Sequence, residues 1–109
     1  VQNPAAFGTY PRFLQWSRDK NLIPLEEAIY KMTGGIAERF AFGNRGILKK
    51  DYAADICVFD YATIADNNTP YQTDKRPTAI EAVFMNGQQV LDKGTAIRTA
   101  KAGEIILAT

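Results

Sequence analysis

The sequence contains no histidine among its 109 residues. Histidine is the usual general base near neutral pH and the commonest ligand of catalytic zinc. Its absence excludes Ser-His-Asp and Cys-His catalytic sites within these residues. It also argues against a zinc hydrolase whose metal ligands all lie in this chain.

Cysteine is nearly absent as well, because Cys57 is the only one and cannot form an internal disulfide. This usage is compatible with a reducing compartment, and we expect a cytoplasmic location. No general base or second metal ligand accompanies Cys57 in the sequence. We therefore interpret Cys57 as a small buried hydrophobic residue rather than a nucleophile or a ligand.

Strong charge and long apolar runs are also lacking. The formal net charge is +1, which gives no broad attraction to nucleic acid or to an anionic membrane. Arg45, Lys49 and Lys50 form a small basic cluster without interleaved aromatic residues, so they do not predict a nucleic-acid site. The longest apolar runs are too short to span a membrane. We expect neither nucleic acid nor a membrane as a partner.

Helical patterns occupy the first part of the chain. Thr9 is a candidate N-cap, and Pro11 then falls in the first turn, where its missing N–H does no harm. The spacing predicts a helix that ends at Asn21. Its predicted buried face consists of Tyr10, Phe13, Leu14 and Ser17, and Trp16 lies off that face.

A second helix is predicted to begin at Pro24, with two glutamates in its first turn, where the helix dipole favours negative charge. Its apolar stripe consists of Leu25, Ala28, Ile29 and Met32. Gly34 and Gly35 are predicted to end this helix. A short third helix is predicted over residues 36–40, and the glycine-containing residues 42–46 are predicted to form a turn.

After Gly46 the pattern changes from helices to strands. Residues 56–59 are a short β-branched and aromatic run, which predicts a strand buried on both faces. Asp55 and Asp60 bracket it, and we favour strand-end hydrogen bonding over a catalytic carboxylate pair for both. Residues 47–48 are a candidate short strand, followed by a solvated turn at residues 49–51.

The polar residues 61–76 predict a long surface loop. Its Asp66-Asn67-Asn68 segment offers oxygen ligands but lacks the spacing and the bidentate glutamate of a calcium-binding loop. Residues 80–85 then alternate between apolar and mixed positions and predict a strand.

Asn86-Gly87 is the strongest short-range hairpin signal in the sequence, because both residues tolerate positive φ. A return strand over residues 88–91 and a turn at Lys93-Gly94 follow, and residues 105–107 are a candidate last strand. Helices followed by strands predict an α+β fold or the junction of two domains. We place the division between residues 1–43 and 44–109.

These segments together resemble the amidohydrolase superfamily. LEEAIYKMT at residues 25–33 and AERF at residues 37–40 resemble the last helices of its (β/α)8 barrel. RGI at residues 45–47, ADICVFD at residues 54–60 and VFMNG at residues 83–87 resemble the C-terminal strands of its small β-sandwich domain. The resemblance covers nearly the whole chain, and the similarity is greatest to the N-acyl-D-amino-acid deacylases.

In those deacylases, the segment that matches residues 3–12 usually reads His-Pro-Arg-Ala-Phe-Gly-Thr-Phe-Pro-Arg. Asn3 and Ala5 therefore stand where the histidine and the arginine are usual. In some members that arginine pairs with a carboxylate of the substrate, so its absence argues against an acidic substrate side chain. Asp51 also stands where a turn glycine is usual, although aspartate tolerates left-handed backbone better than most residues.

The resemblance implies a metal-dependent hydrolase that cleaves the amide C–N bond of N-acyl-D-amino acids. Family members bind zinc through histidines, usually a bridging cysteine or lysine-type ligand, and an aspartate after the last barrel strand. Metal-bound water is the nucleophile in that family, and the aspartate handles its proton. All of these positions are expected upstream of Val1, so we expect no catalytic residue and no metal ligand in this chain.

The resemblance also suggests substrate-pocket candidates, because barrel active sites lie at the C-terminal face. These candidates are Pro4, Phe7, Gly8 and Tyr10, which either line the pocket or only anchor the following helix. Asp55, Asn86 and Gly87 are expected to have structural roles.

We expect the chain to be an inactive C-terminal fragment of such an enzyme, with the rest of that enzyme as its partner. Its exposed helix faces and sheet edges are expected to cause self-association. The alternative is a stand-alone, non-catalytic α+β module for interaction or oligomerisation. The absence of methionine at Val1 favours the fragment.

Overall fold

A computed structural model of the chain describes residues 5–97, 99–103 and 105. In this part of the chain, helices are followed by an antiparallel sheet, so the α+β prediction is confirmed. The helices are α1 (Ala5–Asp19), α2 (Leu25–Met32) and α3 (Gly34–Arg39). The strands are β1 (Ile56–Phe59), β2 (Ile80–Met85), β3 (Gln88–Asp92) and β4 (Thr95–Ala96), in the sheet order β1-β2-β3-β4. No described helix is long and apolar enough to cross a membrane.

Helix α1 begins earlier than the sequence predicts. Thr9 is not its N-cap, and Pro11 lies inside the helix rather than in its first turn. An internal proline removes one backbone hydrogen bond, and this part of α1 contacts residues 66–68 through Arg12 and Gly8. The helix ends as predicted near Asn21, whose φ is 50°.

The buried face of α1 is narrower than the predicted one. Leu14 and Ser17 are buried, but Tyr10 is 56% exposed. Trp16, predicted to lie off this face, is 46% exposed.

Helix α2 has the predicted stripe. Ala28 is completely buried, and Leu25, Ile29 and Met32 pack against the core.

The two glycines after α2 begin α3 instead of ending α2, which corrects the prediction. Both lie against Tyr30, because a Cβ on Gly35 would come within 3.0 Å of the Tyr30 carbonyl oxygen and one on Gly34 within 3.3 Å of its ring. The glycines therefore serve close packing between the two helices rather than helix termination.

Strand β1 is found where it was predicted, but it is not buried on both faces. Within the described residues it is an edge strand that pairs only with β2, and of its side chains Phe59 packs against the hydrophobic core. Cys57 is exposed, as is Val58 at 46%. The prediction of a buried Cys57 is therefore wrong for this chain. The candidate strand at residues 47–48 is also absent, and Leu48 is 78% exposed.

The hairpin prediction is confirmed. Asn86 and Gly87 have φ values of 50° and 79°, and Met85 pairs with Gln88 across the turn. Lys93 and Gly94 form a second turn with positive φ, which leads into the unpredicted strand β4. Of the candidate strand at residues 105–107, Ile105 is not in a strand, and the other two residues lie outside the described part.

The hydrophobic core contains a residue from the predicted surface loop. Ile64 is 1% exposed and packs with Leu14 of α1 and Ala28 of α2. Arg18 fastens this loop to α1, because its Nη1 donates to the carbonyl oxygens of Tyr61 at 3.1 Å and Ile64 at 2.7 Å. The predicted surface loop over residues 61–76 is therefore present, but its Ile64 belongs to the hydrophobic core.

Candidate functional site

A groove of about 650 Å³ lies between α1, the end of α2 and the loop at residues 66–70. Its lining is mainly apolar and aromatic and includes Tyr10, Phe13, Trp16, Met32 and Pro70. Arg12 and Lys20 lie over the Trp16 ring at 5.6 and 5.5 Å from its centroid. Apolar walls with a few polar groups are typical of ligand sites and of protein interfaces.

Asp66 lies in the lining of this groove, and its side chain is only 2% exposed. Oδ2 accepts a 2.7 Å hydrogen bond from Nε of Arg12. Oδ1 accepts hydrogen bonds from the backbone N–H of Asn68 at 3.0 Å and from its Nδ2 at 2.8 Å. Both carboxylate oxygens are therefore engaged by protein donors.

These contacts determine the charge state of Asp66. Burial alone would raise its pKa, but hydrogen bonds from Arg12 and Asn68 together outweigh burial and hold the pKa below its ordinary value. Asp66 is consequently an anion near neutral pH and does not act as a proton donor there.

Arg12 and Gln15 connect the same loop to α1. Nη2 of Arg12 donates to the carbonyl oxygen of Asn68 at 2.9 Å, in addition to its ion pair with Asp66. The backbone N–H of Asp66 donates to Oε1 of Gln15 at 3.0 Å. The sequence reasoning missed this network because its partners are more than 50 residues apart. The only sequence signal for this network was Arg12, the last residue of the segment 3–12 that resembles the deacylases.

Gly8 lies directly against the Asp66 carboxylate. A Cβ at Gly8 would come within 2.0 Å of Oδ1 and 2.5 Å of Oδ2, which is too close for any side chain. A side chain at this position would have to displace the carboxylate, so glycine permits the close approach of helix and loop.

Two of the four substrate-pocket candidates lie in the groove, namely Gly8 and Tyr10. Phe7 belongs to α1, and its side chain lies outside the described part of the chain. Pro4 lies outside the described residues altogether.

A second polar cluster surrounds the hairpin turn and contains the candidates Asp55, Asn86 and Gly87. Arg45 donates from Nη1 to Oδ2 of Asp55 at 2.6 Å and from Nη2 to Oδ1 of Asn86 at 2.7 Å. The Gly87 N–H donates to the Ala54 carbonyl oxygen at 2.9 Å.

The carboxylate of this second cluster is also ionised. Burial acts to raise the pKa of Asp55, but hydrogen bonds from Asn86 and Arg45 outweigh it and lower the pKa. The arrangement joins three chain segments and leaves Asp55 fully engaged as an acceptor.

The described residues do not fit a zinc site. No group of three histidine, cysteine, aspartate or glutamate side chains comes together in this part of the chain, and the sequence has no histidine. Although Cys57 is exposed, desolvation by its neighbours raises the pKa of its thiol, which is therefore protonated near neutral pH and a poor nucleophile.

Comparison with known proteins identifies relatives over nearly the whole chain. A family profile described as "Amidohydrolase family" matches residues 4–91. The chain is 41% identical over 108 residues to a D-aminoacylase from Alcaligenes xylosoxydans xylosoxydans, covering 98% of this chain and 22% of that protein.

Two solved structures are similar in fold. A D-aminoacylase crystal structure matches with a TM-score of 0.85 and 41% identity, covering 87% of this chain and 20% of that one. The N-acyl-D-glutamate deacylase from Bordetella bronchiseptica, solved with zinc and a phosphonate mimic of the tetrahedral intermediate, matches with a TM-score of 0.81 and 34% identity. That match covers 86% of this chain and 20% of the deacylase.

The chain thus spans about a fifth of the length of the relatives it matches. The resemblance seen in the sequence segments is confirmed by the family profile, which covers the three helices, β1, β2 and all but the last residue of β3. The chain belongs to the amidohydrolase family.

Proposed function

We propose that this chain is a segment of an N-acyl-D-amino-acid deacylase, which hydrolyses the amide C–N bond of its substrate. The observation that carries the proposal is the 41% identity to a D-aminoacylase over 98% of the chain. The match extends over both the helices and the sheet, so it is not a single short motif. The absence of an arginine at Ala5 favours substrates whose amino-acid side chain is not acidic.

The metal of the enzyme is held by residues outside this chain. The related D-glutamate deacylase was solved with zinc, whereas the described residues here assemble no group of three metal-ligating side chains. Zinc supplies Lewis acidity in hydrolases of this kind. The contribution of this chain is structural, and the isolated chain has no hydrolase activity.

Residues 1–43 correspond to the last helices of the (β/α)8 barrel, and residues 44–109 to the C-terminal part of the small β-sandwich domain. Large apolar side chains exposed on the helical part support this assignment, since a barrel would cover them. Leu22 is 55% exposed and Phe40 is 60% exposed. The partner of these surfaces is the remainder of the same enzyme.

The test compares the native polypeptide that carries this sequence with the isolated chain. Both are incubated with an N-acetyl-D-amino acid that has an apolar side chain, and the L-enantiomer is the control. We expect the native polypeptide to be four to five times larger than this chain, since the chain covers 22% of its relative. It should release acetate from the D-enantiomer only, and the isolated chain should release none.

Two results would contradict the proposal. Zinc-dependent hydrolysis by the isolated chain would show that the active site lies within these residues. A native product near 12.1 kDa without activity would favour a stand-alone interaction module instead.

A further inference from the structure

Three residues on one face of α1 hold the loop that carries Asp66. Gly8, Arg12 and Gln15 are spaced by four and three residues and therefore lie above one another on the helix. Gly8 contacts the Asp66 carboxylate, Arg12 pairs with it, and Gln15 accepts from its backbone N–H.

The contact between Gly8 and the Asp66 carboxylate restricts how far the first turns of α1 can move relative to the loop. The Asp66 carboxylate is held by three donated hydrogen bonds, and a methyl group at Gly8 would have to displace it from them. A displacement of the loop at residues 66–68 therefore displaces α1 at Gly8. Packed interiors transmit such shifts because they are close-packed.

The same turns of α1 form one wall of the groove. Gly8 and Tyr10 both line it, and Trp16 lies under the guanidinium of Arg12. In a (β/α)8 barrel, the beginning of each helix follows the C-terminal end of a strand, where active sites are built. In the barrel proposed above, the first turns of α1 would lie at this end, so the wall that Asp66 and Arg12 hold would face the substrate.

We propose that Arg12 and Asp66 are positioning residues of the substrate pocket, which they act on through the first turns of α1. The inference rests on the proposed deacylase function. Neither residue is catalytic, because both oxygens of Asp66 and two nitrogens of Arg12 are engaged within the protein.

The experiment uses the whole native polypeptide with Arg12→Lys and Asp66→Asn substitutions. Lysine keeps the charge but cannot reach Asp66 and the Asn68 carbonyl together, since it lacks the fork of arginine. The matched control is Asp19→Asn, because Asp19 pairs with Arg18 on the same helix at the same 2.7 Å but in an exposed position. Steady-state kinetics and the melting temperature are measured for each variant.

We expect KM for the N-acetyl-D-amino acid to rise about tenfold in Arg12→Lys and Asp66→Asn, while kcat changes by less than about twofold. The control should keep the wild-type KM. A lower melting temperature with an unchanged KM in both variants would overturn the proposal, because it would show a purely structural role.

A double-mutant cycle tests whether Gly8 acts through Asp66. Gly8→Ala alone should raise KM about tenfold, whereas Gly8→Ala added to Asp66→Ala should have an effect smaller than about threefold, because the obstructing carboxylate is gone. Equal effects in both backgrounds would overturn the proposal.

An inactive wild-type polypeptide would refute the deacylase function itself and this inference with it. An active wild type with unaffected variants would refute the inference alone.

Discussion

The backbone N–H of Asn86 donates a 2.8 Å hydrogen bond to Oδ1 of Asp55, a residue 31 positions earlier in the chain. Asn86 also occupies a left-handed position of the hairpin turn, and its Nδ2 donates to the Ala102 carbonyl oxygen at 2.6 Å. One residue therefore closes the hairpin and joins it to β1 and to the segment after β4.

Two substitutions at Asn86 separate backbone strain from side-chain bonding. Asn86→Ala should destabilise the hairpin by about 2 kcal/mol, since it adds left-handed strain to the lost hydrogen bonds. Asn86→Gly tolerates the turn and should cost about 1 kcal/mol. Hydrogen exchange of residues 80–92 in the native polypeptide measures both. Equal losses of protection would contradict a contribution from backbone strain.

The same substitution at Gly46 and at Gly43 can be compared, because both glycines lie in the region after α3. Both have positive φ, but a Cβ at Gly46 would lie 2.5 Å from the Cβ of Ala37, whereas none of the described atoms lies within 4 Å of a Cβ at Gly43. Gly46→Ala should cost about 3 kcal/mol or more and Gly43→Ala about 1 kcal/mol. The melting temperatures of the two variants check this order, and similar values would contradict the predicted clash.

Asp66 should make the stability dependent on pH in the acid range. Its pKa in the folded state lies below the ordinary value of 3.8, so the folded state binds the proton more weakly than the unfolded state. The resulting stabilisation is present above pH 3.8 and is lost as the pH falls through the folded pKa. The melting-temperature difference between wild type and Asp66→Asn should therefore be larger at about pH 6 than at about pH 2. A constant difference would contradict this linkage.

Ser17 is a site where a substitution should stabilise the protein. It is 2% exposed, and its Oγ has no hydrogen-bond partner among the described residues. Because an unpaired buried hydroxyl is unfavourable and alanine favours helix, Ser17→Ala should raise the stability by about 1 kcal/mol. Ser17→Val is the control for volume and should gain less, since it overpacks the site. A lower melting temperature for Ser17→Ala would show that the hydroxyl is satisfied.

The isolated chain should self-associate because it exposes large apolar side chains. Tyr10, Phe40 and Leu48 are 56%, 60% and 78% exposed, and β1 is an open sheet edge within the described residues. Light scattering at increasing protein concentration should show a mass above 12.1 kDa. A concentration-independent mass of one chain would contradict the prediction.

Several features could be predicted from local sequence because their causes are local. The Asn86-Gly87 turn follows from residues that tolerate positive φ, and Asp51 adopts a φ of 69° where the family usually has glycine. The stripe of α2 follows from the helical period alone. The motif order was sufficient to indicate the amidohydrolase family.

Other features could not be predicted because their causes are distant. Ile64 lies in a polar segment, and only the return of that segment to α1 and α2 buries it. Cys57 has the sequence environment of a core strand but lies at a sheet edge, since composition does not specify which strands flank it.

The sequence by itself determined the turns, the apolar face of α2, the α+β order and the family, because each depends on short-range preferences or on a recognisable series of motifs. Only the tertiary structure brought Asp66 within 2.7 Å of Arg12 and against Gly8. That contact joins residues more than 50 positions apart, and a side chain at Gly8 would disturb it. Its physical reason is close packing between a helix and a loop, which no local pattern encodes.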